Sequence, residues 1–181
     1  MIVRANAVAN RERILVAAEA VFGEHGAAGS TEDVAARAGV GIATVFRHFP
    51  TKSALVEAAL IRHFEVLNQQ ASGLAGRPDA GSALRTLIRT MIQTGSTKLT
   101  LASLLADGTF PLTVLAASET LRATVRDVLA RAAAAGQIRQ DVTVDEVYLL
   151  VRGLAQACAT TTTARRTLDG AINIVLAGLS N

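Results

Sequence analysis

The chain contains no tryptophan, one tyrosine and five phenylalanines, so aromatic rings cannot build its interior. Alanine, leucine and valine must fill it instead, and two of these are strong helix formers, which predicts an all-α fold. Half of the 181 residues are hydrophobic, enough for a substantial core. Cysteine is nearly absent. Cys158 alone excludes an internal disulfide and fits a reducing cytoplasm. It reads as a small core residue rather than a thiol sensor. One cysteine and three scattered histidines, none in an HExxH arrangement, also exclude a structural zinc site, so no metal and no cofactor are expected. Long apolar runs are missing too. The longest uncharged stretches, 153–164 and 170–181, fall short of the roughly 20 apolar residues a spanning helix needs. The start, with Arg4 its one charge through residue 9, does not read as a signal peptide. A soluble, cytoplasmic protein without a membrane partner is expected. Lysine is confined to Lys52 and Lys98 among 18 basic residues, which reflects coding composition rather than function, and a net charge of +3 is only a mild bias.

What is present is helical periodicity. Ile14, Leu15, Ala18, Val21 and Phe22 predict an amphipathic helix over 10–24, stopped by Gly26. Ser30 with Asp33 resembles a capping box and opens a short helix that Gly39 ends. A third helix covers 42–47. Pro50 and Thr51 then lead into a long fourth helix that ends near 73–78. Leu84, Leu87, Ile88, Met91 and Ile92 mark a fifth. Leu101, Leu104 and Leu105 mark a short sixth, ended by Asp107 and Gly108. Leu121, Val125, Val128, Leu129 and Ala132 mark a seventh. Thr143 with Glu146 caps an eighth, and a ninth covers 165–179. Nine helices in two modules, 1–51 and 52–181, are expected.

Residues 31–50 carry the spacing of a helix-turn-helix. Two short helices cross at a steep angle, so the contact needs a small side chain, Ala35, and the turn needs a residue that tolerates positive φ, Gly39. Val34, Val40 and Val45 supply the inner seam, leaving the outer face of the second helix free for the major groove. From Arg37 to Lys52 the chain carries Arg37, Arg47, Lys52 and His48 and no acid, although residues 1–60 as a whole are balanced.

The stretch AGVGIATVFRHFPTK at 38–52, with RILVAA at 13–18, VF at 21–22 and HG at 25–26, resembles the tetracycline-repressor (TetR) family of bacterial transcription regulators. The resemblance covers roughly residues 11–60. It implies that Gly41, Ile42, Ala43, Thr44, Phe46, Arg47 and His48 form the DNA-facing helix, with Thr44 toward bases or phosphates. It also implies that His48 and Lys52 meet phosphate, and that Ser30 and Thr31 contact phosphate from the start of the second helix. Phe46 stands where the family often has tyrosine. Gly41 and Ile42 replace commonly polar residues, and Ile42 is positioned to touch a thymine methyl instead. Ala27 replaces a common aromatic.

The family's members usually dimerise through their last two helices. Here that implies a homodimer through Val147, Tyr148, Val151 and Leu154 on one helix and Ile172, Val175 and Leu176 on the next. A two-fold dimer spaces its recognition helices about 34–36 Å apart and reads a palindromic operator, with repression the family default. An unidentified small apolar effector is expected among Phe64, Leu67, Leu84, Leu87, Ile88, Met91, Leu104, Phe110, Leu121 and Val125. The long fourth helix would carry its influence to the DNA module. The alternatives are a DNA-binding factor of the same fold without an effector, a helical interaction module and a small helical enzyme. No Ser–His–Asp, Cys–His or paired-carboxylate arrangement favours the enzyme, and no catalytic residue is assigned. The arginine pairs Arg85/Arg89 and Arg122/Arg126 read as solvated side chains flanking apolar stripes rather than as an anion site, and His63 reads as a surface residue.

Overall fold

The computed structural model describes residues 2–75, 79–105, 110–161 and 163–180, with the side chains of 2–5 and 75 left aside. Among the described residues there are eight α-helices and no strand. They are α1 (Ile2–His25), α2 (Thr31–Ala38), α3 (Ile42–His48), α4 (Lys52–Ala75), α5 (Ala80–Ser103), α6 (Leu112–Ala134), α7 (Val144–Thr160) and α8 (Arg165–Gly178), with one 3-10 turn at Gly26–Ala28. Ends expected at Asp107 and Gly108, and beyond residue 75, lie outside the described residues.

Two helix boundaries depart from the periodicity. First, α1 starts at Ile2 rather than near Asn10. Residues 6–9 are exposed, with Val8 unburied, so they form no apolar stripe. Alanine-rich chain extends a helix already nucleated by Ile14, Leu15 and Phe22 without needing one. Second, the expected fifth and sixth helices are one. α5 runs unbroken through Gly95. The hydroxyls of Thr86, Thr90 and Thr94 each donate to the carbonyl four residues back, at 2.9, 3.0 and 2.9 Å. A Cβ on Gly95 would stand 2.5 Å from Ala155 Cβ of α7. The glycine is there to admit a neighbouring helix, not to end its own.

The described chain divides into two compact units: residues 1–63 with 97–115, and residues 64–96 with 116–181. In the first unit Ile14, Leu15, Val21 and Phe22 of α1 share a core with Val34 and Ala35 of α2, Val45 of α3, and Leu55, Val56 and Leu60 of α4. Arg62 of α4 clamps α1 by donating to Glu12 at 2.6 Å and Glu19 at 2.6 Å. His63 is a correction: it is buried, not on the surface. It falls on the inner stripe of α4 with Ala59 and Leu60, where its Nδ1 lies 3.6 Å from Glu19. Burial pushes the Glu19 carboxyl up, but hydrogen bonds from His63 and Arg62 outweigh that, and its net pKa falls below the ordinary 4.5.

In the second unit the core is Leu84, Leu87, Ile88 and Ile92 of α5, Leu121, Val125 and Val128 of α6, and Val147, Val151, Ile172 and Leu176 of α7 and α8. Three of the four arginines expected to be solvated are used here, and Arg126 is exposed. Arg85 donates to the Gln137 carbonyl at 3.3 Å and Ser180 Oγ at 3.1 Å, Arg89 donates to Asn173 at 2.6 Å, and Arg122 pairs with Asp145. Thr143 and Glu146 form the expected reciprocal capping box. No helix of the described residues is long and apolar enough to cross a membrane.

Candidate nucleic-acid interface

The helix-turn-helix is built by local chemistry. Ser30 Oγ accepts from the Asp33 backbone N–H at 3.0 Å, while Asp33 accepts from the Ser30 backbone N–H at 3.1 Å. Both orphan donors at the start of α2 are thereby satisfied. Hydrogen bonds from the Ser30 hydroxyl and backbone also draw the Asp33 carboxyl below its ordinary pKa. α2 ends at Gly39, which holds φ +65° and ψ +40°, the left-handed conformation that costs a side chain most. Its N–H closes on Ala35 and Ala36 carbonyls. α3 then sits with Val45 fully buried against α1 and α2, which fixes its rotation about its own axis.

That rotation decides what faces outward. At 100° per residue, Ile42, Phe46, Ala43 and Arg47 fall within an arc of roughly 140°, and all four are exposed. Thr44 and His48, one turn apart, share the next edge and are half-buried. Gly41, at the N-cap, is exposed. Thr44 thus stands at the border of the face rather than at its centre. Arg47 has no hydrogen-bond or ion-pair partner among the described residues. Ser30 and Thr31 are half-buried, and both hydroxyls are engaged locally, Ser30 with Asp33 at 2.6 Å and Thr31 with Glu32 at 3.1 Å.

Three cations differ from what the sequence implies. Lys52 does reach the helix-turn-helix, but its ammonium donates to the carbonyls of Ala27 at 3.1 Å and Gly29 at 2.6 Å and stands 5.3 Å from the Phe22 ring centre. It ties down the α1–α2 connection where Ala27 provides no aromatic anchor. Arg37, counted with the positive run, is neutralised by Glu24 at 2.8 Å. Arg11 was missed. It is exposed, and its guanidinium lies 5.5 Å from the centre of the Phe49 ring, whose neighbour is His48. An aromatic two residues beyond Arg47 was the one sequence signal that a cation from α1 could stack there.

Of the candidate effector residues, Phe64, Leu67, Leu84, Leu87, Ile88, Met91, Leu121 and Val125 are buried in the second unit. Leu104 is half-buried and Phe110 exposed, and both belong to the first. A surface groove of about 360 Å³ in the first unit is lined by Glu12, Arg13, Val16, Ala17, Ala20, Arg37 and Ala38, none of them an effector candidate.

The candidate dimer residues separate by burial. Val147, Val151, Ile172 and Leu176 are consumed inside the unit, and on α7 the stripe Val147–Val151–Ala155 is the one that meets α5 at Gly95. Tyr148, Leu154 and Val175 are half-buried. Arg122 covers the Tyr148 ring at 5.0 Å, and burial pushes the phenol up to about 12. The outward faces carry different residues: Leu149, 72% exposed, with Leu150 on α7, and Ile174, 76% exposed, on α8. Gly153, Gly170 and Gly178 stand among them with open space where a side chain would be.

A family model described as bacterial regulatory proteins, tetR family, matches residues 14–59. A second, described as the C-terminal domain of SbtR-like transcriptional regulators, matches residues 79–181. No curated relative matches the chain. Among solved structures, a TetR transcriptional regulator from Streptomyces coelicolor aligns with a TM-score of 0.82 and 29% identity over 94% of this chain and 98% of that one. A TetR transcription regulatory protein from Mycobacterium vanbaalenii aligns with a TM-score of 0.80 and 29% identity over 99% of each chain. The TetR-like regulator LfrR from Mycobacterium smegmatis, solved with proflavine, shares the fold with a TM-score of 0.68 and 21% identity over 96% of this chain and 97% of that one. With a helix-turn-helix in a matched N-terminal segment and a matched C-terminal segment, the chain belongs to the TetR family of transcriptional regulators.

Proposed function

We propose that the protein is a ligand-responsive repressor that binds a palindromic operator as a homodimer through α3. The observation that carries this reading is the outward arc of Ile42, Ala43, Phe46 and Arg47, flanked by Thr44 and His48 and bordered by Arg11. Base contacts come from the arc. Phosphate contacts come from Arg11, His48 and the Thr44 hydroxyl, with Ser30, Thr31, Gly41 and Lys52 at the border of the footprint. DNA binding is assigned to 1–51, and effector binding and dimerisation to 52–181. The protein works in the cytoplasm, where its DNA is.

The dimer is assigned to the outward faces of α7 and α8. Leu149, Leu150 and Ile174 are large apolar groups left in water. Gly153, Gly170 and Gly178 beside them let a second helix pair approach closely. Of the residues implied by sequence, Leu154, Val175 and Tyr148 remain at its margin. The effector is assigned to the apolar interior of the bundle around Leu87, Met91, Leu121 and Val125, where an apolar molecule gains most from burial. The proflavine-bound regulator of the same fold supports an effector of small-molecule size. Coupling of about 1–3 kcal/mol between effector and operator lowers DNA affinity roughly 5–150-fold.

Selecting duplexes from a random pool with the purified protein tests the reading. A two-fold symmetric consensus is expected, and a thermal-shift screen on the same protein is expected to find compounds that raise melting and release that duplex. Enrichment of no duplex at any salt rejects it. Selection of DNA that no compound releases favours the effector-free factor.

A further inference from the structure

We infer that α3 reads the 5-methyl groups of thymine, so that the operator half-site is a short thymine-containing element beside a single guanine; this rests on the DNA-binding reading above. The outward arc of α3 offers a base edge very little hydrogen bonding. Ile42 and Phe46 are 37% and 43% exposed although apolar, Ala43 lies between Phe46 and Arg47, and Arg47, at the edge of the arc, is its one polar side chain.

Each base asks for a different partner in the major groove. Cytosine presents an amino donor that wants a carboxylate or another acceptor. Adenine presents a donor–acceptor pair that wants Asn or Gln. Guanine presents two acceptors that suit Arg. Thymine presents a methyl group that wants apolar contact. α3 has no carboxylate and no amide side chain, which leaves guanine to Arg47 and thymine to Ile42, Ala43 and Phe46.

The charge pattern fits the same occupant. The apolar arc is bordered by Arg47 and His48, and by Arg11 over Phe49, with no acid on α3. A groove floor of methyl groups between two phosphate walls is its complement. The absence of a hydroxyl at Phe46 then has a consequence: the ring is free to lie on a methyl rather than to hydrogen-bond a phosphate.

The test uses the duplex selected from the random pool. Thymines of both half-sites are replaced by uracil, which removes the methyl and nothing else, and affinity is measured across a salt series. Each contacted methyl is expected to contribute roughly fourfold, the scale of burying one CH₂-sized group. One contact per half-site therefore gives a loss of about 15-fold, with an unchanged salt slope because no phosphate contact is lost. The double variant Ile42→Ala, Phe46→Ala, altered at exposed positions, is expected to melt as the parent does and to bind thymine and uracil duplexes alike. Equal binding of both duplexes by the parent overturns the inference, as does a selected half-site without thymine, and either leaves DNA binding intact. Selection of no duplex overturns the DNA-binding reading and this one together.

Discussion

At the scale of single residues, the structure separates cations that act within the protein from cations left for a partner. Lys52 already holds two carbonyls and a ring, so Lys52→Ala is expected to destabilise the fold by about 1–2 kcal/mol, read in denaturant titration. Unchanged stability would mean the lysine is free for DNA alone. Arg11 and Arg47 have no carboxylate partner among the described residues. Arg11→Ala is expected to reduce the salt slope of operator binding by about one unit, and Arg47→Ala to cost about 1–3 kcal/mol and relax the preference for guanine, both at constant melting temperature. Arg37→Ala, with its charge already spent on Glu24, serves as the control with a smaller effect. What could be read beforehand was what is local. Ser30 and Asp33, three residues apart, start α2, and Gly39 ends it by closing on carbonyls three and four residues back. The engagement of Lys52 was not legible, because its partners Ala27 and Gly29 are backbone carbonyls distant in the chain.

At the scale of elements, α5 and α1 each carry a test. Gly95→Ala places a methyl 2.5 Å from Ala155 Cβ. Overpacking of this kind costs about 1–3 kcal/mol, and Ala155→Gly in the same chain is expected to restore part of it. Additive losses in the double variant would show that the two helices do not meet there. The role of this glycine was not legible in the sequence, because the residue that explains it belongs to α7. The contact between α1 and α4 depends on pH. Glu19 has a folded pKa below the ordinary 4.5, so its stabilising effect is complete above that value and is lost as pH falls through the folded one. Arg62→Ala is expected to lower stability by about 2 kcal/mol near neutral pH and to flatten the loss below pH 4.5. A pH profile parallel to the parent's would place the origin elsewhere.

At the scale of the whole molecule, periodicity disclosed the all-helical class and the apolar stripes of α7 and α8, but not which stripe faces a second subunit. Both helices have apolar residues on two sides, and only their burial within the subunit shows that Val147, Val151, Ile172 and Leu176 are spent internally. Ile174→Glu and Leu149→Glu are therefore expected to give folded monomers in sedimentation, with operator affinity falling because two recognition helices no longer act together. A dimer that survives both changes would move the interface to another surface.

The central claim is that the outward arc of α3 is the surface that meets DNA, and Ala43 lies within it. Fluorescence anisotropy of a labelled selected operator, titrated with the Ala43→Glu variant, tests it directly. A carboxylate inserted toward the phosphates at an exposed position should leave the melting temperature unchanged and weaken binding by about 100-fold or more, a loss of several kcal/mol from like-charge contact. Binding equal to that of the parent would contradict the account.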